Sequence, residues 1–128
     1  MIPNKFSLRS RFGSFRYAVN GVQSLLKYEH NSRIHLIAAL LVMALGVIFN
    51  LSITEWCLLV MVIGIVFIIE LLNSSLESLA DRVDPQLNEL IMRAKDYGAA
   101  AVLISAIVAL IVGGLIFIPK IFHLLFCR

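Results

Sequence analysis

Glu70, Asn73, Glu77 and Asp81 stand at i, i+3, i+7 and i+11 of one stretch of the chain. On a helix turning about 100° per residue, the three acids fall within roughly 40° of one another, with Asn73 about 60° to one side. The stripe so formed is about 16 Å long. Its first member, Glu70, directly follows the charge-free run WCLLVMVIGIVFII, Trp56 to Ile69. An acid at membrane depth is costly to keep there, so it marks a functional site more often than a packing accident. Arg93, Lys95 and Asp96 follow a short way on. Carboxylates beside a lysine supply what a Mg-nucleotide site needs: hard oxygen ligands for the cation and positive charge for the phosphates. The same residues also have a plainer reading. Glu77 and Asp81 would then lie at a helix end among lipid headgroups, with Arg93 and Lys95 as interfacial anchors.

Two further residue types bear on this chemistry. Glu29, in KYEHNSRIH, is either a third carboxylate for a metal or a solvated residue at headgroup level. His30 and His35 are five apart, off the i, i+4 spacing of a helical metal pair, and are read as interfacial hydrogen-bonders. The chain contains no GxxxxGK[ST] phosphate loop, no GxGxxG and no protein-kinase HRD or DFG set.

These residues need elements to hold them, and the composition says which. The chain has 128 residues, of which 60% are hydrophobic and only 15% charged, with a mean hydropathy of +0.93. A soluble domain carries roughly 45–50% apolar and about 25% charged residues. The expected class is therefore an all-α integral membrane protein forming a single membrane domain. Ile34–Ile53 has no charged residue and matches the thickness of a bilayer core, about 30 Å. Residues 56–83 form a second span with a polar extension, and Tyr97–Pro119 a third charge-free run. In that third run Ala101, Ser105, Ala109 and Gly113 recur every four residues, a stripe that suits close helix approach in lipid. Cys57 and Cys127 are too few for a disulfide scaffold.

Residues 1–33 are basic and interleaved with aromatics, without the apolar core of a signal peptide. Phe15, Val19, Val22 and Leu26 at helical spacing predict an amphipathic surface helix starting near Gly13 with Ser14 as its N-cap. A solvated basic tail is the alternative. Nine of the 11 Lys and Arg lie before the first span or between the second and third. The positive-inside rule then places the N-terminus and that connection in the cytoplasm. The net charge of +3 reads as orientation, and no nucleic-acid partner is expected.

The run Glu70-Leu-Leu-Asn73-Ser-Ser-Leu-Glu77-Ser-Leu-Ala-Asp81-Arg82, followed by Arg93-Ala-Lys95-Asp96-Tyr-Gly98-Ala-Ala-Ala-Val102, resembles the prokaryotic diacylglycerol kinase family. These are small integral-membrane lipid kinases, undecaprenol kinases among them. Tyr17, Gly21, Glu29 and Arg33 match upstream, so the resemblance spans about Arg16 to Val112. It implies a homotrimer in the bacterial inner membrane, with a surface helix and three spans per subunit and active sites shared between neighbours. It implies Glu70 as the general base toward the lipid hydroxyl and Glu29 and Glu77 as the Mg2+ carboxylates. Tyr17, Lys95 and Asp96, with Glu29 and Glu77, would contact ATP. Asn73 and Asp81 would support the site, and Arg33, with Glu70, would meet the lipid. The connection reads Gln86-Leu87-Asn88-Glu89 where a Tyr-His pair precedes the Glu in diacylglycerol kinases, and Ser10 and Ala99 are further departures. The implied reaction is transfer of the ATP γ-phosphate to diacylglycerol, with undecaprenol as the alternative acceptor. A reading from another class is a non-enzymatic protein with a proton or ion pathway on Glu70 and Glu77. Against that, the acids stop part-way along the span.

Overall fold

The computed structural model describes residues 8–83, 86 and 88–126, with the backbone alone for residues 8–12. The described chain is all-helical: α1 (Leu8–Tyr28), α2 (His30–Ile48), α3 (Ile53–Val83) and α4 (Glu89–Phe126). The last three are long and apolar enough to cross a membrane. This is the number of spans expected from the charge-free runs.

The ends of the helices are set by local chemistry that the apolar runs do not show. Glu29 is extended, at φ −95° and ψ 118°, and breaks α1 from α2. Arg33, one turn into α2, donates from Nε to Leu26 O at 2.8 Å and from Nη2 to Lys27 O. Its guanidinium thereby satisfies the last carbonyls of α1, which have no partner inside their own helix.

α2 covers His30–Ile48 rather than the expected Ile34–Ile53. Asn50 adopts a left-handed φ of 49°, the only non-glycine residue among those described to do so. Asn50 N donates to Val47 O at 3.2 Å and Leu51 N to Gly46 O at 3.1 Å, which closes the helix as a Schellman motif. Ser52 and Glu55 then start α3. Ser52 N donates to Glu55 Oε2 at 2.7 Å, and Glu55 N donates to Ser52 Oγ at 3.3 Å, the reciprocal pair of a capping box. The turn is tight because Gly46 has no side chain: a Cβ there would lie 2.7 Å from the Trp56 ring and 3.1 Å from Leu51.

Three further boundaries differ from expectation. α1 already runs through Gly13-Ser14, so Ser14 is interior and is not the N-cap. The cost of one helical glycine, about 1 kcal/mol against alanine, does not stop a helix already formed on both sides. α4 begins at Glu89, where Asn88 Oδ1 accepts from Leu90 N and Ile91 N at 3.1 and 3.2 Å as an N-cap. Arg93, Lys95 and Asp96 are thus on the first turns of a helix, not in a connection. At the other end α4 continues through Pro119 to Phe126. Asp84-Pro85, a pair that does not favour a continuing helix, lies outside the described residues, and α3 is described to Val83.

α3 and α4 form the main packed pair. Leu51, Leu59, Ile116 and Phe117 are buried together, with Val42, Phe49, Trp56, Ile63 and Val112 against them. This core sits at the end away from the acidic stripe. Phe49 and Phe117 meet edge-on there, with centroids 6.1 Å apart, and Lys120 Nζ pairs with Glu55 Oε1 at 3.0 Å. Of the small-residue stripe, Ser105 is buried within the chain and Ala109 and Gly113 are half-buried, while Ala101 is exposed.

Candidate active site

Three rungs form a ladder along α3 from its apolar half to its charged end. The first is Glu70, only 3% exposed. Its partners come from α2, where Ser32 and His35, one turn apart, face α3. Ser32 is fully buried and donates from Oγ to Glu70 Oε2 at 3.4 Å. His35 Nε2 lies 3.1 Å from Glu70 Oε1. That approach is out of line for a hydrogen bond, and Oε1 has no hydrogen-bond partner among the described residues.

The second rung joins Asn73 to Glu77. Asn73 Nδ2 donates to Glu77 Oε1 at 2.9 Å. Asn73 Oδ1 is buried against α4 and has no hydrogen-bond partner among the described residues. It rests on Gly98, where any Cβ would collide with it. Gly98 is what lets α3 and α4 close around this rung.

Asp81 and Lys95 make the third rung, with Lys95 Nζ at 2.7 Å from Asp81 Oδ1. Lys95 precedes the apolar run 97–119. The hydrogen bond it donates to Asp81, with the charges of Asp81 and Glu77, holds its ammonium above the usual lysine range. Each acid of the stripe is thus matched by a partner from the same or a neighbouring helix, as the shared helix face predicts. In sum the structure brings together Glu70 with α2, Asn73 with Glu77, and Asp81 with Lys95.

The sequence that carries these rungs is similar to known proteins. The sequence model of prokaryotic diacylglycerol kinase matches residues 16–117. The chain belongs to the prokaryotic diacylglycerol kinase family. It is 37% identical over 110 residues to the undecaprenol kinase of Bacillus subtilis, covering 86% of this chain and 89% of that one. It is 38% identical to the diacylglycerol kinase of Synechocystis over 113 residues, 88% of this chain and 65% of that one. To the diacylglycerol kinase of Escherichia coli K12 it is 36% identical over 95 residues, 74% and 78% of the two chains.

In this family member the remaining expected site residues stand apart from the ladder. Tyr17 is 76% exposed on α1. Glu29 is half-buried at the α1–α2 break, where its side chain makes no capping hydrogen bond. Asp96 is exposed on α4, and Arg93 pairs with Glu89 one turn back rather than with the stripe. Arg33, matched to a lipid-contacting position, is engaged with the end of α1. Among the described residues no three His, Cys, Asp or Glu side chains converge as a metal set.

The structure adds three residues to the site. Ser32 and His35 touch Glu70, and Gly98 admits Asn73. Serine carries little signal on its own. His35 was legible as an interfacial hydrogen-bonder, but its partner depends on how α2 is rotated against α3.

Proposed function

We propose that this chain transfers the γ-phosphate of ATP to the hydroxyl of a membrane lipid, with diacylglycerol as acceptor and phosphatidic acid as product. The observation that carries this reading is the ladder itself. A buried carboxylate lies at apolar depth, and on the same helix face, toward the charged end, are the Asn73–Glu77 and Asp81–Lys95 pairs. A hydroxyl held within the bilayer meets the first, while phosphates arriving from water meet the last.

Glu70 takes the proton of the lipid hydroxyl as its oxygen attacks the γ-phosphorus, and the bond to the bridging oxygen breaks with its electron pair leaving on ADP. Glu29 and Glu77 are hard oxygen donors of the type Mg2+ takes when phosphates complete its coordination. The ion would supply positive charge against the phosphate oxygens. Asn73 keeps Glu77 directed to that place. Lys95, held by Asp81, offers the fixed cation for the transferring phosphate, with Tyr17 and Asp96 at the nucleotide and Arg33 at the lipid. With so few groups, positioning and charge neutralisation carry most of the rate.

The setting follows the sequence: the inner membrane of a bacterium, α1 along its cytoplasmic surface as an amphipathic helix, and the α3–α4 connection on that side. Tyr17, Glu29 and Asp96 make no link to the ladder within one chain. A homotrimer with sites shared between neighbours accounts for this. The undecaprenol reading is favoured by one observation, the 37% identity to the undecaprenol kinase of Bacillus subtilis over 89% of its length.

Purified protein in lipid with Mg-ATP, offered diacylglycerol and undecaprenol in parallel, tests the proposal. Phosphatidic acid as the faster product supports it. Undecaprenyl phosphate as the faster product transfers the assignment to the second acceptor. No phosphorylated lipid from either rejects the kinase reading and returns Glu70 and Glu77 to a non-enzymatic role.

A further inference from the structure

Glu70 is a carboxylate that the chain keeps out of water, at 3% exposure. A buried acid needs hydrogen-bond donors around both oxygens, because each lone pair left unmatched forfeits the solvation that water gave it. Oε2 receives one long hydrogen bond, from Ser32 Oγ at 3.4 Å. Oε1 receives none among the described residues, although His35 Nε2 stands 3.1 Å away. The imidazole therefore has the distance of a hydrogen bond without its alignment.

His35 has a second neighbour. Its side chain is 23% exposed, and it lines a cleft of about 500 Å³ between α2, α3 and α4. The rest of the lining is apolar or glycine: Ala38, Val42, Leu59, Val66, Ala109 and Gly113 among others. In such a wall an aliphatic side chain would pack better and leave no polar atoms to satisfy. Histidine at this position is explained by Glu70, the one charged group it meets among the described residues. Ser32 and His35, one turn apart on α2, reach opposite oxygens of the same carboxylate.

The geometry points to His35 as the positioning residue of Glu70. A small rotation of the imidazole, open on its cleft side, brings Nε2 into line with Oε1. The carboxylate is then held between Ser32 and His35 with its free lone pair directed at an arriving lipid hydroxyl. α2 thus orients the base carried by α3. The inference rests on the kinase reading for its kinetic consequence, but the contact itself is independent of any reaction.

The test uses the full chain in lipid. Against the wild type stand His35→Ala, which removes the ring, and His35→Gln, whose side-chain amide can donate from near the Nε2 position. His35→Ala is expected to lower kcat by about 10- to 100-fold while KM for the lipid stays within about twofold. His35→Gln is expected to recover most of that loss. A kcat unchanged in His35→Ala, or a glutamine variant no better than alanine, overturns the inference. The second measurement does not depend on activity. The chain has 3 histidines, and the His35 ring-nitrogen NMR signal is assigned by its disappearance in His35→Gln. That signal is expected to move in Glu70→Gln. If it stays in place the pair is not made, whatever the kinetics show. If the wild type phosphorylates neither lipid, the kinase reading fails, and the ring signal alone upholds or removes the contact.

Discussion

Glu70 and Asn73 are one helical turn apart on α3, and each carries a buried oxygen with no hydrogen-bond partner among the described residues. A buried oxygen without a partner calls for a structural or functional reason. In the proposed reaction Glu70 meets the lipid hydroxyl, whereas Asn73 Oδ1 rests on Gly98 and sets the register of α3 on α4. Gly98→Ala must therefore push Asn73 aside or separate the helices. We expect it to lower kcat by about 100-fold, the scale of an ångström-level misplacement, with the purified protein still helical by circular dichroism. Asn73→Ala should resemble it, because Glu77 loses the donor at 2.9 Å that directs it. A Gly98→Ala variant with wild-type kcat would show that the rung tolerates displacement. Of these residues the acids were legible from type and spacing alone. Gly98 was not, because one glycine in GAAAV looks like helix packing until the opposite side chain is seen.

At the scale of elements, the apolar runs predicted the three long apolar helices and misplaced their ends. Hydropathy reports where lipid lies, and helix ends are fixed by backbone hydrogen bonds that have no hydropathy. The α2–α3 turn illustrates this, since Ile34–Ile53 reads as continuous although the chain turns at Asn50 with φ 49°. Asn50→Val places a β-branched residue in a left-handed conformation, and a thermal shift assay should report a loss of about 1–2 kcal/mol. Asn50→Gly should be neutral or stabilising. Ser52→Ala removes one side of the capping box with Glu55, with an expected cost of about 1 kcal/mol. Both positions lie at the end opposite the ladder, so kcat should hold within about twofold where the protein is folded. The capping box has the sequence form Ser52-x-x-Glu55, which a run read by hydropathy from Ile34 to Ile53 passes over. The rotation of α2 that turns Ser32 and His35 toward Glu70 was not legible, since it is decided by packing between helices.

The whole molecule shows more apolar surface than a soluble chain could carry: Leu110, Leu115 and Phe126 are among many large residues at 70% exposure or more. A bilayer is the surrounding that such a surface calls for. If sites are shared in a homotrimer, Glu29→Gln and Glu70→Gln chains, each inactive alone, should regain activity when mixed before reconstitution. Fully inactive mixtures would place each site within one chain. The central claim is that Glu70 activates a lipid hydroxyl, and the most direct measurement is transfer of labelled γ-phosphate from Mg-ATP into extractable lipid. The wild type is expected to label the lipid, and Glu70→Gln to do so roughly 10²- to 10⁴-fold more slowly, the range for loss of a general base. Equal labelling by the two proteins would contradict it.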